Sequence, residues 1–189
     1  MLDVDQLIAE CCKGVKDDGG HRAAREIVAR AVSDPGSVVA ALGEPLRAGV
    51  TQLYHSDTLT ILNVVWGPLM NVPAHNHEMW AVIGVYGGRE DNIFWRRISD
   101  ENGQTIEAAG ATSLATKDAK PLGRDIIHSV VNPVDRLTAA IHVYGGDFFG
   151  AERKEWDPET HEERPFDFDR TRQYFERSNR LLVADMPSA

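Results

Sequence analysis

The sequence predicts a mainly β domain, a sandwich or barrel, with a short helical segment in front of it. Three observations predict this. From Thr51 onward, β-branched and aromatic residues gather in short runs. Those runs are punctuated by Gly67-Pro68, Gly87-Gly88, Asn102-Gly103 and Gly145-Gly146, dipeptides that favour turns. No long crossover helix separates one run from the next, as a doubly wound fold would require. A chain of 189 residues is long enough for one domain with a substantial core and short for two.

The elements follow in order. Val4, Leu7, Ile8 and Cys11 recur at helical spacing and predict a helix over 3–13. Ala23, Ala24, Ile27, Val28 and Val32 predict a second over 20–33, with Gly19-Gly20 between them. Asp34-Pro35-Gly36 stops that helix and starts a short third, Ser37 to Leu42. Strands are then predicted at Thr51–His55, Leu59–Trp66, Trp80–Tyr86, Asn92–Ile98, Gln104–Ala108 and Leu137–Tyr144. Beyond Ala151 the chain is charged and aromatic, with Trp156, Phe166, Phe168, Tyr174 and Phe175, and suits a cover for an open barrel end. A last helix is predicted over Asp169–Leu182, with a frayed end at Asp185–Ala189. The reading is one domain over 1–189: a helical preface (1–45), a β-barrel (46–150) and a covering segment (151–189).

Composition narrows the function. Lys and Arg number 20 against 29 for Asp and Glu, a net charge of −9. Such a surface repels phosphate backbones, which disfavours nucleic acid as a partner. No apolar run reaches the length of a membrane span, and the acidic start Met1-Leu2-Asp3-Val4-Asp5 lacks the basic residues of a signal peptide. Cys11 and Cys12 are adjacent, a spacing that seldom forms a disulfide, so both are expected as thiols. A cytoplasmic protein acting on a small molecule fits these features.

Pro73-Ala74-His75-Asn76-His77 enters a strand. Residues two apart on a strand face the same side, so His75 and His77 point together and make a natural pair of metal ligands. Read alone, His-x-His also suits a solvent-facing loop. Its setting adds to it: Gly67-Pro68 lies upstream, an apolar strand and Gly87-Gly88 follow, and Pro121-Leu122-Gly123 leads to His128 and Asn132.

These residues resemble the two motifs of the cupin superfamily, Gly with His-x-His and a later Gly, then Pro-x-Gly, His and Asn. The glutamate that usually follows His-x-His in cupins is absent: Glu78 comes too early and on the opposite face, and Met79 to Gly88 contain no acid. With Trp66-Gly67-Pro68 before it and Ile141-His142-Val143-Tyr144 after it, the three-histidine variant resembles the thiol dioxygenases, the cysteine and 3-mercaptopropionate dioxygenase relatives, over roughly residues 50–155. The resemblance implies a cupin double-stranded β-helix (a jelly-roll-like barrel), Fe(II) held by His75, His77 and His128, and O2 as co-substrate. Three neutral ligands leave the ion its full charge, which favours an incoming thiolate. Zinc also accepts three histidines.

In that family a Ser-x-His-x-Tyr strand carries a relay to the metal. Here His142 and Tyr144 match, and Ala140 replaces the serine, so the hydroxyl that would orient His142 is missing. The Tyr-x-Arg pair of cysteine dioxygenases is represented only by Tyr54-His55-Ser56, which argues against cysteine as substrate. Mercaptopropionate-type relatives place an arginine shortly after the His-x-Tyr strand, and Arg153 matches that position. An arginine there would hold a carboxylate by paired hydrogen bonds; outside the resemblance it reads as a surface residue of the charge run Glu152-Arg153-Lys154-Glu155. The expected activity is oxidation of a small mercapto-carboxylic acid to a sulfinate. The alternatives are a three-histidine cupin dioxygenase that cleaves a carbon–carbon bond of a diketone or aromatic acid, and a non-enzymatic metal- or ligand-binding cupin. His55 is expected to line the pocket, Met79 and Trp80 to pack in the core, and the resemblance suggests a homodimer.

Overall fold

The computed structural model describes residues 2–18, 20–100 and 103–184. Helices α1 (Val4–Asp18), α2 (His21–Val32) and α3 (Pro35–Leu42) open the chain. Strands β1 (Gly49–His55), β2 (Thr60–Trp66), β3 (Asn71–Asn76), β4 (Ala81–Gly87), β5 (Arg89–Asp100), β6 (Gly103–Ala115), β7 (Ala119–Leu122), β8 (Ile127–Val131), β9 (Thr138–Tyr144), β10 (Lys154–Trp156) and β11 (Glu163–Pro165) follow, and α4 (Phe168–Ala184) ends the described chain. The strands form two antiparallel sheets, β1-β2-β9-β4-β7 and β11-β10-β3-β8-β5-β6. This is the double-stranded β-helix, mainly β with an N-terminal helical segment.

Period-two alternation explains why the first sheet is apolar on both faces. On β9, Ala139, Ile141 and Val143 face outward, where α1 and α2 cover them together with Ile61, Val65 and Val82. Ala140 and Tyr144 face inward with Leu62, Val64, Trp66, Ile83 and Val85. A sheet buried on both faces reads as a nearly continuous apolar run, as β2, β4 and β9 do. The helices sit close: a Cβ at Gly84 on β4 would lie 2.3 Å from Val28 Cγ1 and 3.0 Å from Val32 Cγ1 of α2. Gly84→Val is therefore expected to destabilise the protein by about 1–3 kcal/mol, read as a lower urea midpoint at unchanged slope.

The helix signals hold with small shifts. Pro35 is the first residue of α3, and Asp34 caps it by accepting from Ser37 N at 3.3 Å, so α3 starts before Ser37. α1 runs on to Asp18, past the expected end at residue 13. Gly14 lies inside it at a close approach to α2, where a Cβ would meet Ala23 Cβ at 2.6 Å. Gly19, Asn102 and Asp185–Ala189, to which turns and a frayed end were assigned, lie outside the described residues.

Strands β7, β8, β10 and β11 were not anticipated as strands. Pairing with a longer neighbour makes them: β7 against β4, β8 against β3 and β5, β10 between β3 and β11. The segment beyond 150 thus extends the second sheet before α4 crosses the barrel. Asn179 clamps α4 to the chain entering β1, accepting from Ala48 N at 2.8 Å and donating to Ala48 O at 2.9 Å. Asn132 ties the neighbouring turns together: its amide donates to Gly67 O and Arg136 O, both at 2.7 Å, and its oxygen accepts from Thr138 Oγ1 at 2.9 Å.

Candidate metal centre

Strands β3 and β8 pair so that His75 stands opposite His128. β3 shifts register between Val72 and His75, a bulge that re-aims the side chains beyond it. The strand ends at Asn76, so His77 is the first residue past it rather than a second position within it, as period two had implied. The rings converge all the same: His75 and His77 centroids are 5.2 Å apart, His75 and His128 4.7 Å, and His77 and His128 4.9 Å. Ligand atoms of all three lie within 4.8 Å of one another, so the group can hold a metal ion.

The donor geometry fits such an ion. His77 Nε2 and His128 Nε2 are 3.2 Å apart. Two nitrogens each about 2.1 Å from one ion stand roughly 3.0 Å apart at a right angle and roughly 3.4 Å at the tetrahedral angle. Glu78 does not join the ligands; its carboxylate accepts from Asn76 Nδ2 at 2.5 Å.

All three imidazoles are buried, and burial pushes their pKa values down from 6.5: His75 to about 4, His77 and His128 further below their ordinary value. The neighbouring ligand rings push His77 and His128 the same way. Neutral imidazoles are what a metal requires. The unfolded chain binds protons at these positions near pH 6.5 and the folded metal-free protein does not, so stability is full above that pH and falls as the pH drops toward 4. Thermal melting of metal-free protein should show this decline, with roughly 3 kcal/mol lost at His75 alone by pH 4.

Behind the histidines lies a network in which the sequence motifs indicated His142 and Tyr144 but not Glu90 or Asn92. Glu90 is fully buried on β5. Its Oε2 accepts from Trp66 Nε1 at 2.7 Å and from His142 Nε2 at 3.3 Å, and its Oε1 accepts from Asn92 Nδ2 at 3.0 Å. Asn92 Oδ1 stands 2.6 Å from His128 Nδ1. His142 Nδ1 is 3.0 Å from the Tyr144 hydroxyl, and the Tyr144 ring lies 5.0 Å from that of His77. His142, Asn92 and Trp66 together favour the ionised Glu90 carboxylate, whose pKa stays below its usual value despite burial. Ala140 leaves no hydroxyl for His142; Glu90, from the other sheet, takes that place.

One side of the cluster opens on a cavity of about 420 Å³. His75 and Tyr144 line it, with Leu62, Val64, Trp66 and Phe175 as apolar walls. Arg153, beside β10, also lines it and is 4% exposed. Its guanidinium carbon lies 3.9 Å from the Phe148 ring centroid, 4.0 Å from that of Phe166 and 4.8 Å from that of Phe168. Nε, Nη1 and Nη2 have no hydrogen-bond partner among the described residues. Desolvation pushes its pKa down to about 10, which leaves it cationic at neutral pH. Arg153 is thus no surface residue of its charge run, whereas Lys154 is less buried and Glu152 is exposed.

The other expectations divide. His55 does not line the cavity; it pairs with Asp147 at 2.8 Å and packs edge-on against Phe149 near the surface. Met79 is buried in the barrel core, and Trp80 packs on the helical side, near His21. Cys11 and Cys12 are free thiols, and burial pushes the Cys11 thiol up to about 12.

No known family model matches the chain. Among solved structures it is similar to a protein with a double-stranded β-helix domain from Klebsiella pneumoniae (11% identity, 59% of this chain and 81% of that one, TM-score 0.45). It is similar to a cupin superfamily protein from Desulfitobacterium hafniense (15% identity, 58% and 88%, TM-score 0.44). It is also similar to an oxalate oxidase in complex with the substrate analogue glycolate (12% identity, 55% and 53%, TM-score 0.42). No helix among the described residues is long and apolar enough to cross a membrane.

Proposed function

We propose that this protein is a non-haem Fe(II) dioxygenase that oxidises a thiol bearing a carboxylate to the sulfinate. The net reaction is R–SH + O2 → R–SO2H, in which sulfur loses four electrons and both oxygen atoms end on it. The observation that carries the proposal is Arg153: a buried cation whose three nitrogens have no partner among the described residues, lining the same cavity as His75 and Tyr144. A buried guanidinium without a partner is costly to maintain, and a carboxylate would satisfy it through paired charge-assisted bonds.

His75, His77 and His128 would hold the iron, which would supply a cationic centre for the thiolate and the one-electron redox chemistry that lets O2 react, the four electrons coming from sulfur. The chain's own groups supply the rest. Arg153 binds and orients the carboxylate end. Tyr144, held by His142, offers its hydroxyl beside His77. Phe148, Phe166 and Phe168 surround the guanidinium and exclude water from it, which strengthens its grip on an anion.

The volume of the cavity and its aromatic walls favour a second reading, carbon–carbon cleavage of an aromatic acid or diketone at the same centre. The test is anaerobic loading with Fe(II), then O2 consumption against mercapto-carboxylic acids, cysteine, β-diketones and hydroxylated aromatic acids, with products read by mass spectrometry. Uptake with a mercapto-acid and a product heavier by two oxygens is expected. Uptake with the ring acids or diketones alone would favour the second reading. No uptake with any thiol would overturn the first.

A further inference from the structure

We propose that Glu90 is a positioning residue that determines which ring nitrogen of His128 carries the proton, acting through the amide of Asn92. The importance of that choice rests on the reading of His128 as a metal ligand; the choice itself rests only on hydrogen bonds between protein groups.

A carboxylate accepts and never donates. The Glu90 pKa is held low, so Asn92 must turn its amine end toward it, as the 3.0 Å bond from Nδ2 to Oε1 requires. Its oxygen is then committed to the opposite side, where His128 Nδ1 stands at 2.6 Å. An amide oxygen only accepts, so Nδ1 of His128 carries the ring proton. Nε2 is left as a bare lone pair, 3.2 Å from His77 Nε2, inside the three-histidine cluster. A second arm leaves the same carboxylate: Oε2 receives His142 Nε2–H, and His142 Nδ1 meets Tyr144. One buried charge thus orders both the ligand side and the hydroxyl side of the cavity, from a sheet position two residues before Asn92.

The chain of donors makes a specific prediction for Glu90→Gln. Trp66 Nε1–H can only donate, and it already points at Oε2. The glutamine would keep its carbonyl on that side and present its NH2 group to Asn92. Asn92 would flip, offering its oxygen to the glutamine and its NH2 group to His128. His128 must then accept at Nδ1, and its proton moves to Nε2, toward the metal ligands.

Long-range proton–nitrogen NMR of the full-length, metal-free protein with labelled histidine reads this directly, with His128→Gln used to assign the ring. Wild type is expected to show protonated Nδ1 and bare Nε2 at His128, and Glu90→Gln the reverse. Zinc affinity of Glu90→Gln should fall about 10–100-fold, the usual effect of losing a group that orients a ligand. Asn92→Ala, which removes the acceptor from Nδ1, should also shift His128 toward protonated Nε2 and covers the case in which Glu90→Gln fails to fold. A wild-type His128 protonated at Nε2, or a folded Glu90→Gln with His128 still protonated at Nδ1, would overturn the proposal. The NMR experiment uses neither metal nor substrate, so an inactive enzyme would count against the oxygenase reading and leave this one untouched.

Discussion

Arg153→Met is expected to stabilise the fold while removing its hold on carboxylate ligands. The two effects share one cause. The guanidinium is buried with Nε, Nη1 and Nη2 unpaired among the described residues, which costs folding energy that the surrounding phenylalanines offset only in part. Methionine fits among those rings and packs its sulfur against them. A gain of about 1–3 kcal/mol is expected, read as a higher melting temperature. Removing one side of a buried charge pair costs about 2–5 kcal/mol of binding, so affinity for 3-mercaptopropionate should drop at least about thirtyfold. Thermal melting and a binding titration check the two halves. A variant that melts lower than wild type and still binds the acid would show that the cationic cage serves structure instead.

His77→Ala should abolish stable metal loading. His77 lies just past the end of β3, and its removal leaves two ligands on paired strands, with Nε2 of His128 facing empty space. Affinity for zinc or iron should fall at least about a hundredfold, measured by metal content after dialysis against a weak chelator. Because burial already keeps the wild-type rings neutral, metal binding near pH 6 should release few protons. Calorimetry in buffers of different ionisation enthalpy measures that number. Release approaching one proton per histidine would mean that the rings are charged before the metal arrives.

How much of this was legible in sequence depends on what each residue's neighbours advertise. His75, His77 and His128 stood out because histidine is scarce and their spacing is informative. Even so, the strand argument placed His77 by period two, whereas a bulge and a strand end bring it to His75. Glu90 and Asn92 were hidden in the polar run Arg89-Glu90-Asp91-Asn92, of which only Asn92 fell within a predicted strand. Alternation divides the four: Arg89 and Asp91 pair outside at 2.7 Å, while Glu90 and Asn92 point inward. The missed strands β7, β8, β10 and β11 carry weak signals of their own and owe their form to their partners. Arg153 matched a position in the family that the sequence resembles, but its burial depends on three phenylalanines, two of which lie more than ten residues further along the chain.

β10 pairs with β3 at a single register point, Glu155 opposite His75, and Lys154 N donates to Asn76 Oδ1 at 2.7 Å. Arg153 immediately precedes this seam, and buried Glu155 is held in it by Arg164 and Arg170. His75 and the Arg153 cation are therefore mounted on adjoining backbones of one sheet. On the proposed reading, with iron at His75 and a carboxylate at Arg153, their spacing would act as a fixed gauge for the distance between a substrate's sulfur and its carboxylate. A molecule one methylene too short or too long would then meet a frame that yields only by opening the sheet, and the β-sheet itself would discriminate by chain length.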